Sequence, residues 1–297
     1  MKRTKIDIIG KQADADRPLI LDGAIGSLLV SKGIPSDKFL WSSVANIQNP
    51  ESVVELHREY IQAGADIITT NTFRTNPAAL KKSSSKISEE DFVKAGVNIA
   101  MEAVHKDQII IAGSNAPAED CYQKERTITK NELEYNHNKH IELLWNYGCD
   151  IIWNETQSHL DEITMICEFC SSNKIPFVLS LYFTEDLKLL DGEKLEYAVK
   201  LIEFFSPVAI GFNCIRPKIF YNYIGNNKLP EKWGAYFNCG LGNVNDENIS
   251  CGIDPTSYTD SITPLLKMNP FFIGSCCGSS PSHTRALKGK INEVYRN

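Results

Sequence analysis

Three cysteines carry the strongest chemical signal in this 297-residue chain. Cys214 closes the segment Gly211-Phe212-Asn213-Cys214, and Cys276 and Cys277 stand in Gly274-Ser275-Cys276-Cys277-Gly278. Thiolates are soft ligands, and a set of three suits zinc. Adjacent cysteines reach one ion only where the backbone bends sharply, and Gly274 and Gly278 flank the pair to permit that bend. Three protein ligands leave a fourth position open, as in a catalytic zinc site. Buried structural cysteines are the plainer alternative, because unpaired cysteine is among the most buried residue types. A vicinal pair between glycines, joined by a third thiol at a strand end, favours a metal.

The remaining cysteines and the histidines read differently. The chain has nine cysteines. An odd number spread over a long chain does not fit a secreted disulfide scaffold. Cys167 and Cys170 form a CxxC on one face of a helical stretch, where core packing is expected and a redox or metal role stays open. Cys239 follows Asn238 at a strand end, near the site but not expected to ligate. Cys121, Cys149 and Cys251 give no signal. His137 and His140 form an HxxH on a helical stretch expected to lie far from the strand ends, so packing or surface exposure is expected for them.

The elements that must position these thiols are short apolar runs at 19–22, 66–71, 109–114, 150–154, 177–181, 208–213, 233–238 and 271–274. Most are apolar on both faces, which fits strands of a parallel sheet buried on both sides. Helical periodicity falls between them at 50–63, 131–147, 161–170 and 193–205. Pro50 marks a helix start, and Gly64 and Gly148 mark helix ends. The alternation predicts a single-domain (β/α)8 barrel over residues 1–297. A doubly wound open sheet competes, but no GxGxxG follows the first strand. Polar segments at 81–90 and 115–129 read as loops, the second at the catalytic face. In a barrel the residues closing the strands converge on that face: Asp22, Asn71, Ser114, Glu155, Asn213-Cys214, Asn238-Cys239 and Cys276-Cys277. Strands six and eight are one strand apart, so their thiols can meet across the mouth.

Composition bounds the remaining classes. The chain is 42% hydrophobic and 23% charged, enough for a large core. A net charge of −6 argues against general affinity for nucleic acid or anionic membrane. No apolar run approaches a membrane span. Lys2, Arg3 and Lys5 are followed by only a short apolar stretch at Ile8 and Ile9, so no export signal is expected and the cytoplasm is the expected location.

Taken with their order and spacing, several segments resemble the homocysteine S-methyltransferase family across nearly the whole chain. They are Leu21-Asp-Gly-Ala-Ile-Gly26, His57-Arg-Glu-Tyr-Ile-Gln-Ala-Gly-Ala-Asp66, Thr70-Asn-Thr-Phe73, Asp150-Ile-Ile-Trp-Asn-Glu-Thr156, Gly211–Cys214 and Gly274–Gly278. The resemblance implies a (β/α)8 barrel in which Cys214, Cys276 and Cys277 bind zinc. It implies that Asp22 and Glu155 hold the amino group of homocysteine, with Thr70 and Ser42 as secondary contacts. It also implies Asn238 as the fourth zinc ligand when substrate is absent. Helix capping or a structural ion pair is the alternative for the two carboxylates. The chain departs from the family pattern at Ser275, where glycine is usual, and at Phe237, where proline is usual.

The chemistry implied is methyl transfer to the homocysteine thiol, giving methionine. A free thiol is mostly protonated at neutral pH, and zinc coordination removes that proton. The expected donor is a sulfonium, S-methylmethionine or S-adenosylmethionine. Betaine-using relatives carry additional aromatic residues for cation–π recognition. Arg74 and Thr156 stand where two of those tyrosines align, and Trp41 alone is retained. A folate- and corrinoid-dependent route would need modules for which 297 residues leave no room, although a partner could supply them. A non-catalytic zinc or thiol-binding protein and a thiol–disulfide oxidoreductase remain as alternatives; Asp22 and Glu155 speak against the former.

Overall fold

The eight apolar runs form eight parallel strands. The computed structural model describes residues 4–104, 108–241 and 249–295. The strands are β1 (Leu19–Ile20), β2 (Ile67–Thr69), β3 (Ile110–Asn115), β4 (Ile151–Gln157), β5 (Phe177–Leu181), β6 (Ala209–Asn213), β7 (Trp233–Phe237) and β8 (Phe272–Ser275). They pair in the order β1-β8-β7-β6-β5-β4-β3-β2. The ring closes through a parallel bridge between Leu21 and Ile67, with Asp66 N–H donating to the Ile20 carbonyl at 2.8 Å. This is a (β/α)8 barrel, and the open-sheet alternative falls.

Alternation along each strand divides the core in two. Leu19, Ile67, Ile110, Ile151, Trp153 and Phe272 pack inside the barrel. Trp153 and Phe272 meet there edge to face, with centroids 4.6 Å apart. Their neighbours Ile20, Ile68, Ile111, Ile152 and Ile273 pack outward beneath the helices. Burial on both faces is why these strands read as continuous apolar runs.

The four expected helices appear as Pro50–Ala63, Lys130–Tyr147, Leu160–Ser172 and Leu195–Phe204. Gly64 and Gly148 close the first two, as predicted. Thr129 and Glu132 form a capping box that starts the second. The polar segment at 81–90 is shorter as a loop than its composition implied. Asn76 caps a helix that runs to Lys82, and three acidic residues open the next helix at Glu89. Among the described residues no helix is long and apolar enough to cross a membrane.

The segment between β3 and the helix at Lys130 is a loop over the mouth, as expected. Glu119 ties it down, accepting from Thr127 N at 2.6 Å, from Ile128 N at 3.3 Å and from Lys82 Nζ at 2.5 Å. Burial pushes the Glu119 carboxyl up, but the bonds from Lys82 and Thr127 overcome this and hold it at about 2.

His137 and His140 are not far from the strand ends. Both are fully buried, and both reach Asn115, the last residue of β3. A helix packed on a barrel can direct one face at a strand end, and the spacing of the two histidines alone does not show which end.

Candidate metal and substrate site

The sulfurs of Cys214, Cys276 and Cys277 lie within 4.8 Å of one another at the carboxyl ends of β6 and β8. Cys214 takes a left-handed conformation at φ 56°, which costs energy for a residue with a Cβ. Asn213 holds that turn. Its side chain accepts from Thr156 N at 3.0 Å and donates to Thr156 Oγ1 at 2.9 Å. Thr156 is itself left-handed at φ 58°, so two strained turns on β4 and β6 brace each other. Cys276 N–H donates to the Phe237 carbonyl at 2.8 Å, and the Cys277 carbonyl accepts from Cys239 N at 2.9 Å. Gly278 follows at φ 78°, where a Cβ would stand 2.6 Å from Gly240 Cα. Gly274 plays a different part from the one expected. Its φ is not positive, and its lack of a side chain admits Leu21, whose Cβ would be 2.8 Å from an added Cβ. Hydrogen bonds from the Cys214 and Cys276 thiols hold Cys277 well below the ordinary thiol range. Three convergent sulfurs of which one ionises readily form a donor set that fits a soft divalent metal.

Across the mouth stand two carboxylates, Asp22 buried and Glu155 half-buried. Asp22 follows β1 and accepts from Thr69 N at 2.8 Å and Thr69 Oγ1 at 3.2 Å. Glu155 lies in β4 and accepts from Ser114 Oγ at 2.5 Å and from the Tyr236 hydroxyl at 3.3 Å. Trp153 Nε1 donates to that hydroxyl at 3.2 Å. Burial pushes Asp22 well above the usual carboxylate range; bonds from Thr69 oppose the shift and the charge of Glu155 adds to it. Burial likewise pushes Glu155 up to about 7, against the bonds from Ser114 and Tyr236. Glu155 also feels the charge of Cys277, so the carboxylates and thiols form one electrostatic unit. Neither carboxylate caps a helix or has an ion-pair partner among the described residues. An ammonium group would relieve both.

The other expected residues are placed less directly. Thr70 Oγ1 meets Thr72 Oγ1 at 2.7 Å and accepts at 3.1 Å from the N–H of Ser114, the residue whose hydroxyl donates to Glu155. Ser42 is buried and donates to Asn71 Oδ1 at 3.0 Å. Asn238 Oδ1 accepts from Gly240 N at 2.7 Å. Cys167 and Cys170 are buried in the core, apart from the cysteine triad. Ser114 stands at this face as its strand-closing position implied, and it supports Glu155; nothing in the local sequence marks Thr69 and Tyr236 as supports of the two carboxylates. Cys121, which gives no signal in the sequence, and Tyr122 also belong to this neighbourhood. The loop at 116–129 brings both within electrostatic reach of the triad, and Tyr122 packs edge-on against Tyr182 at 5.1 Å.

The family model for homocysteine S-methyltransferase matches residues 19–291. The chain belongs to the homocysteine S-methyltransferase family. A relative from Arabidopsis thaliana, homocysteine S-methyltransferase 1, is 23% identical over 90% of this chain and 91% of its own length. The Escherichia coli homocysteine S-methyltransferase is 25% identical over 92% of this chain and 94% of its own. The fold superimposes on the metallated form of the E. coli homocysteine methyltransferase MmuM with a TM-score of 0.79, at 23% identity, covering 96% of this chain and all of that one. Within this family frame the departure at Ser275 is tolerated, because its φ is not positive. The departure at Phe237 keeps a backbone N–H, which donates to the Tyr258 hydroxyl at 3.3 Å.

Proposed function

We propose that the protein transfers a methyl group from a sulfonium donor, S-methylmethionine or S-adenosylmethionine, to the thiol of L-homocysteine. Zinc held by Cys214, Cys276 and Cys277 is part of this proposal. The observation that carries it is the pairing of a three-sulfur cluster with two uncompensated carboxylates at one barrel mouth. Names borne by the relatives, and the metallated state of MmuM, support the same reading.

A bound zinc would supply the Lewis acidity that keeps the substrate sulfur deprotonated at neutral pH. Asp22 and Glu155 bind the ammonium end of homocysteine, and Ser114, Tyr236 and Thr69 fix the two carboxylates in place. Such anchoring converts a bimolecular encounter into an oriented attack. Asn238 keeps a free lone pair on the oxygen that accepts from Gly240, as a fourth ligand requires. The substrate sulfur forms a bond to the donor methyl carbon as the donor S–CH3 bond breaks. That electron pair stays on the donor sulfur, which becomes a neutral thioether, and the thiol proton passes to solvent. With S-methylmethionine the products are two methionines; with S-adenosylmethionine they are methionine and S-adenosylhomocysteine.

The test is methionine formation from homocysteine with each donor, using zinc-loaded protein and a Cys277→Ser control. Product from a sulfonium, reduced more than about 100-fold in the control, is the expected result. Stoichiometric zinc without product from either sulfonium would overturn the donor assignment.

A further inference from the structure

Arg74 is a nearly buried cation in an unusual seat. Its side chain is 6% exposed. The guanidinium lies over Trp41 at 4.9 Å and over Phe73 at 5.5 Å. Those rings stack on each other with centroids 5.7 Å apart and planes 13° from parallel. Stacking immobilises the guanidinium and leaves its edge, with five N–H donors, to face a planar acceptor. Its hydrogen bond goes to the Glu119 carbonyl. Its ion-pair partner, Asp120, is half exposed and stands 3.8 Å away, beyond hydrogen-bond reach. No Arg74 nitrogen is both sealed from solvent and unpartnered, so the N–H groups not bonded to Glu119 remain reachable by an anion.

The location fits a substrate rather than a scaffold anion. Arg74 follows β2 at the carboxyl end of the strands, and its bond to the Glu119 carbonyl joins it to the loop over the mouth. The ammonium end of homocysteine is already provided for by Asp22 and Glu155. The second substrate, an amino-acid sulfonium, brings its own carboxylate.

We propose that Arg74 is the donor-selecting residue: its stacked guanidinium takes the carboxylate of an amino-acid sulfonium donor. This inference rests on the sulfonium reading above. A bidentate guanidinium–carboxylate contact fixes orientation as well as affinity. Asp120 competes for the same guanidinium until the donor arrives.

The test compares S-methylmethionine with (3-aminopropyl)dimethylsulfonium, the same onium with its ammonium kept and its carboxylate removed. The unaltered protein should favour S-methylmethionine by at least about tenfold in kcat/KM. Arg74→Met should raise KM for S-methylmethionine by about tenfold or more and abolish the preference, while KM for homocysteine and zinc content stay unchanged. Asp120→Asn should lower the donor KM by about two- to fivefold, the scale of an exposed ion pair. A residue that merely tethers the loop would not give that gain, and this arm stands even if Arg74→Met fails to fold. Equal loss for both sulfoniums, or a rise in the homocysteine KM instead, overturns the inference and leaves the methyltransferase reading intact. If the unaltered protein uses neither sulfonium, the donor reading falls first and this inference with it.

Discussion

Two polar clusters lie near the carboxyl ends of the strands, and they are built in opposite ways. In the first, Asn115 Nδ2 donates to Asn154 Oδ1 at 2.8 Å and meets His137 Nδ1 at 3.2 Å. His137 Nε2 then meets Glu162 at 2.6 Å, and His140 Nδ1 meets Asn115 Oδ1 at 2.8 Å. Thr75 completes it at His140 Nε2, 2.9 Å away. One consistent assignment of donors and acceptors leaves no ring nitrogen unpaired. In the second cluster Asp22, Glu155 and the three cysteines face one another, and every ionised form adds negative charge. The first cluster is complete without a ligand; the second has no counter-charge among the described residues. That contrast separates scaffold from site, and burial runs with it: the first cluster is buried throughout, whereas Glu155, Cys276 and Cys277 are half-buried.

Breaking the closed cluster should have the largest effect on stability and the least on chemistry. Glu162 receives His137, the Ala118 N–H at 2.8 Å and Arg126 at 3.3 Å. Burial pushes its carboxyl up, and the bonds from His137 and Ala118 together with the Arg126 charge reverse this and hold it below the usual range. Glu162→Ala strands two donors, His137 Nε2 and the Ala118 N–H, while Arg126 keeps Asp161, so a loss of about 3 kcal/mol is expected in urea unfolding. Zinc content per folded molecule should not change. A variant that unfolds at the parental urea midpoint but binds less zinc would erase the distinction between the clusters.

Breaking the open cluster should do the reverse. Glu155→Gln keeps the shape and removes the charge that awaits an ammonium. The homocysteine KM should rise about 10- to 100-fold, as for loss of a charged hydrogen bond. Stability should hold or increase, because an uncompensated half-buried carboxylate has been relieved. A marked fall in melting temperature with unchanged KM would assign Glu155 to the scaffold instead.

The open cluster was far more legible in the sequence than the closed one. Cys214, Cys276 and Cys277 sit in short glycine-bounded motifs at the ends of apolar runs, so barrel topology alone brings them together. Asp22 and Glu155 are legible for the same reason. His137 and His140 look like ordinary helix residues, because their partners Asn115 and Glu162 come from a strand end and from another helix. Their meeting depends on how helices roll against the barrel, which periodicity does not fix. Ser114 and Tyr236 are likewise plain strand residues until the register pairs Tyr236 with Gly274 and Ser114 with Trp153. The position of Arg74 was legible, but its stacking was not. That depends on Trp41, which sits in a left-handed turn at φ 49° in a loop after β1.

The two clusters should also separate by pH, with opposite origins for the two losses. Burial, and then the neighbouring His137, lowers His140 to about 3, against an ordinary 6.5. Unfolded chains take up this proton below 6.5 while the folded protein does not. The unfolded state therefore binds more protons there, and stability falls as pH drops from about 6.5 toward 3. His57, buried and held at about 4, adds to the same slope. Glu155 runs the other way. Its folded value of about 7 means the folded protein holds the extra proton between the usual carboxylate range and 7, so this group's contribution to stability shrinks as pH rises through that window. Binding an ammonium requires the ionised carboxylate, so homocysteine affinity should weaken as pH falls below about 7, by up to about tenfold per unit. Between pH 8 and 6.5 the homocysteine KM should therefore rise while the melting temperature scarcely moves; below 6.5 the melting temperature should fall as well. Glu155→Gln should flatten the first response and leave the second. If KM and melting temperature decline together from pH 8 in both proteins, a single acid-sensitive cluster governs both, and the division between a closed scaffold and an open site does not hold.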